Sequence, residues 1–90
     1  MGLCSRVTPD DEVLDTAMEI ARDIAVNVAP ASAAASKRAL WESMTSTREQ
    51  IDILETDLHH RLMRLPDARE GVEAFLERRS PRWTGSPGKP

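Results

Sequence analysis

Aromatic residues are scarce in this chain of 90 residues, which contains one Phe, two Trp and no Tyr. Aliphatic residues must therefore supply the packing, and a chain this short buries only a modest core, so we expect one small domain. The single cysteine, Cys4, excludes an intrachain disulfide framework and is typical of a reducing compartment. No apolar run approaches the length of about 20 residues that a membrane span requires. The sequence thus predicts a soluble, cytoplasmic chain without a membrane partner.

Charge and local motifs exclude several further classes of function. The formal charge of −3 and the pI near 5.3 give no positive field that would attract nucleic acid. The sequence lacks a glycine-rich phosphate loop, a nucleophile elbow and a zinc-protease motif. His59 and His60 are adjacent, so on a helix their rings diverge by about 100° and do not favour a metal site. From its motifs the chain is predicted to have no catalytic residues and no metal ligands.

Hydrophobic spacing predicts an all-α chain of about four amphipathic helices, three long and one short. The first helix covers residues 10–28, and the second covers residues 31–46 after Pro30, with alanines that permit close approach of a neighbouring helix. A capping-box pattern at Thr47 starts the third helix, which ends near Arg64. Short breaks between these segments place the helices next to one another in a single helical domain.

The fourth helix is predicted to be short and to leave through a basic segment. Asp67 caps its first turn in this prediction, with Glu70 bonding back to the N–H group of the cap residue. Arg78 and Arg79 lie in the last turn, where positive charge suits the helix dipole, and Pro81 stops the helix. One face of the helix carries the apolar residues Ala68, Val72, Phe75 and Leu76.

The two ends of the chain differ from the helical domain, which spans residues 10–79. Residues 1–9 have the spacing of the end of a strand, with Leu3 and Val7 on one face, but the sequence contains no second strand pattern that could pair with them. We therefore predict an orphan N-terminal strand. Residues 80–90 form a tail rich in Pro and Gly, which we predict to be disordered.

The stretch from Asp67 to Gly85 has the sequence D-A-R-E-G-V-E-A-F-L-E-R-R-S-P-R-W-T-G. It closely resembles the C-terminal signature of the enoyl-CoA hydratase/isomerase (crotonase) family. The stretch from Gly2 to Leu14 resembles the family segment in which the last core strand passes into the C-terminal helices. Pro30, followed by K-R-A-L at residues 37–40, resembles a proline and a helix of the same family. The resemblance covers nearly the whole chain in the family's order.

The resemblance implies that the catalytic groups of the family lie outside these residues. In the family, an upstream core supplies two backbone N–H groups that stabilise the thioester enolate, and glutamates that act as acid and base. Departures from the pattern are small, with Cys4 and Thr8 in place of valines, but Met1 stands inside what is continuous sequence in the family. We therefore expect a truncated member, inactive alone, that carries the helical segment covering the active site and building the trimer interface.

The resemblance also implies two ligand contacts. Phe75 corresponds to a phenylalanine beside the acyl pocket, and Arg78 to a basic residue near the coenzyme A phosphates, often those of a neighbouring subunit. The alternative is that Phe75 packs in the core and Arg78 is only a helix-end cation. No cofactor is implied, because the coenzyme A thioester is the substrate of the family. The implied partners are further copies in a trimer or hexamer, or a chain that supplies the missing core.

Two functions of other classes fit the same residues. A self-associating helical interaction module would bury the apolar stripe of the first helix and the alanine face of the second, because a core this small barely offsets chain entropy. A module that binds acyl-CoA without catalysis is the other alternative. The sequence leaves open the choice between hydratase and isomerase and the preferred acyl chain.

Overall fold

A computed structural model describes residues 2–88, and the regular structure of these residues is entirely helical. Four α-helices follow one another with short breaks, and a 3-10 turn at Asp10–Glu12 precedes the first. The predicted all-α chain with four helices is confirmed. The helices are α1 (Val13–Asn27), α2 (Pro30–Ser43), α3 (Arg48–Met63) and α4 (Pro66–Glu77).

Local sequence signals start α2 and α3 at the predicted places. Pro30 is the first residue of α2, a position at which a helix does not need the N–H group that proline lacks. At the start of α3, the backbone N–H of Gln50 donates to Thr47 Oγ1 at 3.2 Å, and the backbone N–H of Thr47 donates to Gln50 Oε1 at 2.9 Å. This reciprocal pair is the predicted capping box. Helix α2 ends at Ser43, earlier than predicted, because residues 44–46 form the turn that leads to Thr47.

The predicted N-terminal strand does not form. Residues 2–9 are irregular, and Leu3 and Val7 are 86% and 92% exposed. A strand requires a neighbour that accepts and donates its backbone hydrogen bonds, and residues 2–88 provide no second strand. The strand prediction is therefore wrong for the chain as described.

The core is small and consists largely of alanine. Helix α2 packs on α3, and α3 packs on α4, so these three helices form one layer of contacts. Alanines on α2 keep the two backbones close, because the distance between packed helices depends on the side chains at the contact. Helix α1 buries none of its residues and makes no extended contact with α2, α3 or α4 within the described chain. The buried apolar residues are Ala31, Ala35, Leu58 and Ala74.

The chain is more open than a compact protein of its size. It exposes 7594 Å², whereas a compact protein of 10.0 kDa exposes about 5,200 Å². Its radius of gyration is 15.8 Å, compared with about 12 Å for a compact domain of this length. Large apolar side chains are exposed along all four helices, including Leu14 and Ile24 on α1, Leu40 and Trp41 on α2, Ile53 and Met63 on α3, and Phe75 and Leu76 on α4. The fold thus presents apolar surface that a compact monomer would bury.

After α4 ends, residues 79–85 turn back along the helix, and we call this segment the strap. The buried carboxylate of Asp67 accepts hydrogen bonds from the backbone N–H groups of Thr84 and Gly85, each at 2.8 Å, and from the Thr84 hydroxyl at 3.2 Å. Asp67 is therefore not the predicted N-cap, since α4 begins at Pro66 and has no side-chain cap. Its carboxylate bonds to the strap instead, because strap N–H groups turned away from water require acceptors.

Close packing of the strap leaves no room for a side chain at Gly85, and the strap also reaches α1. A Cβ atom at Gly85 would lie 2.7 Å from Asp67 Oδ2, and one at Gly71 would lie 3.4 Å from the Trp83 ring. The indole N–H of Trp83 donates to the Val26 carbonyl at 2.9 Å. That carbonyl lies in the last turn of α1, where a helix leaves its carbonyls without internal partners. The strap therefore ties α4 to the end of α1.

The disorder predicted for residues 80–90 does not describe residues 80–85. Backbone N–H groups of this segment donate hydrogen bonds to carboxylates of α4. The composition of the tail alone does not indicate these contacts. A turn at residues 87–88 follows the strap. Lys89 and Pro90, which belong to the same prediction, lie outside the described residues, as does Met1.

Candidate functional site

Phe75, one of the two predicted ligand contacts, faces outward from α4. Its side chain is 82% exposed, and its neighbours Val72 and Leu76 are 59% and 73% exposed. The alternative in which Phe75 packs in the core is therefore wrong for the described chain. An exposed aromatic ring with two aliphatic neighbours forms an apolar surface that a ligand or a protein partner can cover.

The inward side of α4 is polar and small. Asp67 and Ala74 are buried, and Gly71 between them lies against the ring of Trp83. Residues at these intervals lie on one side of a helix. Because the strap lies against this side, the apolar residues of α4 remain on the outer side.

Arg78, the second predicted contact, is the residue at which the chain reverses. It has φ 52° and ψ 44°, in the left-handed region, and it follows the last residue of α4 instead of lying in the last turn as predicted. Its N–H donates to the Phe75 carbonyl at 3.2 Å, and the N–H of Arg79 donates to the Ala74 carbonyl at 3.0 Å. Glycine is the usual residue in this conformation because a Cβ atom makes it unfavourable. The Arg78 guanidinium forms no ion pair within residues 2–88 and is exposed to solvent.

Phe75 and Arg78 border an open groove of about 430 Å³ between α4, the strap and the end of α1. One wall is basic and aromatic, and the floor consists of small residues of α4. An aromatic ring and a free guanidinium on one rim can contact a ligand that has both an apolar and an anionic part. The groove is lined by Asn27, Gly71, Ala74, Phe75, Arg78, Arg79, Pro81 and Trp83.

Glu70 binds the arginine that follows Arg78. Its carboxylate accepts two hydrogen bonds from the Arg79 guanidinium, at 2.6 and 3.1 Å, and one from the backbone N–H of Arg82 at 2.8 Å. These bonds, chiefly those from Arg79, lower the pKa of Glu70 to about 2, because they favour the charged form. Glu70, and then Glu77, in turn raise the pKa of Arg79. Of the two adjacent arginines, Arg79 is thus neutralised by carboxylates and Arg78 is left free.

Interpretation of the sequence missed the roles of Asp67, Glu70 and Trp83. It assigned both acidic residues to a helix cap, whereas both carboxylates bond to backbone groups of the strap. One signal was present in the sequence. Asp67 and Gly71 lie on the side of α4 that carries no large apolar residue, although a helix in a small domain normally turns its apolar side inward.

The other residues considered from the sequence do not form a site. Cys4 is exposed in the described chain. The ring centroids of His59 and His60 lie 6.0 Å apart, and residues 2–88 contain no group of three His, Cys, Asp or Glu side chains arranged to hold a metal ion. A second groove of about 460 Å³ runs between α2 and α3, and small and apolar side chains form most of its lining. No helix within residues 2–88 has the length and apolarity needed to cross a membrane.

The bonds of Glu70 predict that the strap loosens in acid. The pKa of Glu70 is lowered from 4.5 to about 2 in the folded chain, so its contribution to stability is complete above pH 4.5 and is lost as the pH falls towards 2. The charged groups around it are Arg79 and Arg82 of the strap, with Glu73 on α4. We expect the amide resonance of Arg82 to titrate with a midpoint near pH 2.

Glu70→Gln is the control, because glutamine has no carboxylate to titrate, and the Arg82 amide should then show no such transition. An Arg82 midpoint near 4.5 in the wild-type chain, the ordinary value for a glutamate, would contradict the geometry of the pair.

Solved structures share the fold of the chain. A probable enoyl-CoA hydratase/isomerase from Mycobacterium abscessus superposes with a TM-score of 0.87 at 45% identity, over 94% of this chain and 34% of that one. An enoyl-CoA hydratase from Mycobacterium tuberculosis superposes with a TM-score of 0.80 at 32% identity, over 94% of this chain and 33% of that one. Both sequence identities are high enough to indicate common ancestry as well as a shared fold.

Sequence comparisons identify the same relatives. The chain is 39% identical over 88 residues to a mevalonyl-coenzyme A hydratase of Aspergillus fumigatus, covering 94% of this chain and 32% of that protein. It is 38% identical over 85 residues to a 1,2-epoxyphenylacetyl-CoA isomerase of Escherichia coli, covering 93% of this chain and 32% of that protein. The chain thus spans about a third of the length of the curated relatives it matches. The family profile described as enoyl-CoA hydratase/isomerase matches residues 1–86, and this chain belongs to that family.

Proposed function

We propose that these residues are the helical cover and assembly segment of an enzyme that acts on a coenzyme A thioester, and that they are not catalytic on their own. Phe75 contacts the acyl part of the thioester and Arg78 a phosphate of coenzyme A. The observation that carries the proposal is an exposed ring and a free guanidinium on the rim of one groove. The exposed thiol of Cys4 supports a reducing, cytoplasmic setting.

The apolar surface of the chain supports an assembly role. All four helices leave large apolar side chains in solvent, and the exposed area exceeds that of a compact protein of this size by about 2,400 Å². An area of that order on one chain is what a partner contributes to a large obligate interface, since such interfaces bury about 2,000–5,000 Å² over both partners. A catalytic core or a second copy of the chain could cover this apolar surface, and we propose that the core does so.

The conformation of Arg78 supports a role in ligand binding. Glycine would relieve the unfavourable left-handed conformation at this position, yet the chain carries an arginine there. A charged side chain at a position that favours glycine is explained if its guanidinium serves a purpose beyond ending the helix. The family supplies the chemistry of that purpose, since the relatives named above are a hydratase and an isomerase of coenzyme A derivatives.

The chain alone is expected not to hydrate crotonyl-CoA. Within residues 2–88 the carboxylate with the most altered pKa, Glu70, is fully engaged with the strap and cannot act as a base at neutral pH. The measurement is loss of the enoyl-thioester absorbance with the purified chain and with buffer alone. Turnover at ordinary enzyme rates would show that the chain carries its own active site.

The proposed contact with coenzyme A predicts that two substitutions at residue 78 weaken binding equally but differ in their effect on stability. Both Arg78→Ala and Arg78→Gly should weaken binding of coenzyme A about tenfold, because each removes a charge-assisted bond to phosphate worth about 1.5 kcal/mol. Arg78→Gly should also raise the free energy of unfolding by about 1 kcal/mol, since a residue with a Cβ pays about 1–2 kcal/mol in the left-handed conformation and the greater chain entropy of glycine offsets part of the gain.

Calorimetry gives the affinity, and chemical denaturation gives the stability. Arg48→Ala, which removes an exposed arginine of α3 remote from the groove, is the matched control and should bind like the wild type. Equal affinity of the wild type and Arg78→Ala would remove Arg78 from the site.

Self-association without catalysis is the second candidate function, and the unpartnered stripe of α1 favours it. In this case the chain forms a stable oligomer by itself, and Leu14→Glu, which places a charge on the stripe, should shift it towards monomer. Sedimentation velocity at micromolar concentration separates the two functions. A folded monomer under these conditions would exclude obligate self-association, whereas an oligomer that binds no coenzyme A would favour it over the first proposal.

A further inference from the structure

We propose that Glu70 is a positioning residue for Arg78, an inference that rests on the proposed contact between Arg78 and an anionic group of a coenzyme A thioester. Glu70 itself touches no ligand in this scheme. It acts through the strap, by fixing the residues that follow Arg78.

The left-handed conformation of Arg78 needs restraint from both sides. On the helix side, the N–H groups of Arg78 and Arg79 donate to the carbonyls of Phe75 and Ala74. Such bonds end many helices, but they normally hold a glycine, for which the conformation has no steric cost. An arginine at this position requires a further restraint from the residues after it.

Glu70 supplies that restraint. One carboxylate oxygen accepts from the Arg79 guanidinium at 2.6 Å and from the Arg82 backbone N–H at 2.8 Å, and the other oxygen accepts from Arg79 at 3.1 Å. The two bonded residues lie on either side of Pro81, whose ring limits the backbone between them. The side chains are only partly exposed, at 19% for Glu70 and 32% for Arg79, so the pair is partly shielded from water. A single carboxylate thereby fixes the first half of the strap.

The consequence for the groove is both geometric and electrostatic. With the strap fixed, Arg78, the residue at which the chain reverses, is held at the edge of the groove that Phe75 also lines. Neutralisation of Arg79 by Glu70 and Glu77 leaves Arg78 as the adjacent arginine free to bind an anion. Loss of Glu70 would release the turn and leave Arg79 paired with Glu77 alone.

Asp67 does not share this role, because it holds the other end of the strap. Its carboxylate bonds to Thr84 and Gly85, beyond Trp83, and makes no bond to Arg79 or Arg82. Gly85→Ala is therefore a matched control. The added Cβ would lie 2.7 Å from Asp67 Oδ2 and disturb the far end of the strap while leaving the contact between Glu70 and Arg79 in place.

The test compares the wild-type chain with Glu70→Gln, Gly85→Ala, Arg78→Ala and the double variant Glu70→Gln/Arg78→Ala. In Glu70→Gln, the three-bond HN–Hα coupling and the Cα shift of residue 78 should lose their left-handed values, and coenzyme A should bind about tenfold more weakly. Binding of acyl-pantetheine, which lacks the phosphates, should not change. The double variant should bind coenzyme A no more weakly than Arg78→Ala, because Glu70 acts only through Arg78.

A merely structural role for Glu70 gives a different pattern. It would weaken coenzyme A and acyl-pantetheine alike, add to the effect of Arg78→Ala and be reproduced by Gly85→Ala. If circular dichroism shows that Glu70→Gln has lost helix content, Arg79→Gln replaces it, because this variant breaks the same pair from the strap side. Arg79→Gln should also change the conformation of residue 78 and weaken binding of coenzyme A without affecting acyl-pantetheine.

Two outcomes overturn the inference in distinguishable ways. A wild-type chain that does not bind coenzyme A, or an Arg78→Ala variant that binds as tightly as the wild type, overturns the proposed contact and the inference with it. Weak binding by Arg78→Ala together with a left-handed residue 78 and wild-type affinity in Glu70→Gln overturns the positioning role alone.

Discussion

The bonds between two carboxylates of α4 and the backbone of the strap determine how the rest of the chain is arranged. Asp67 and Glu70 together accept three strap N–H groups, each at 2.8 Å, and the groups of Thr84 and Gly85 are partly shielded from water and need such acceptors. The strap then carries Trp83 over Gly71 to the last turn of α1. Because α1 makes no extended contact with the other helices in the described chain, this indole bond is a main link to it.

This arrangement explains why the apolar side of α4 faces solvent. A helix in a small domain normally turns its apolar stripe inward, but the inner side of α4 is filled by the strap. Val72, Phe75 and Leu76 are consequently left in solvent. The signature stretch of the family therefore serves two purposes on opposite sides of one helix. Residues 79–85 of the stretch form the strap and Asp67, Glu70 and Gly71 contact it, whereas Phe75 and Arg78 remain for a ligand or a partner.

The sequence predicted what local interactions decide. Helical periodicity gave the four helices, and Pro30 and the Thr47 capping box gave two of their starts, because each signal acts within one or two turns. The strap could not be predicted in this way, since its bonds join residues 12 to 18 positions apart. Asp67 and Glu70 have the spacing of a helix cap, and only the position of the returning chain shows that they bind it. The strand prediction was wrong for a related reason, as pairing depends on a partner that residues 2–88 do not contain.

The strongly lowered pKa of Glu70 shows why such a shift alone does not identify a catalytic group. Carboxylates with shifted pKa values are common at active sites. There burial offsets the effect of a charged partner on the pKa, and one lone pair of the carboxylate is left free to face the substrate. In this chain the shift comes from donors of the strap, with Arg79 first and the Arg82 backbone second, and all of them belong to the fold. A carboxylate held in its charged form by such bonds is a very weak base. In the role that we propose for it, Glu70 therefore acts indirectly, by holding Arg79 and Arg82, the strap residues that follow Arg78.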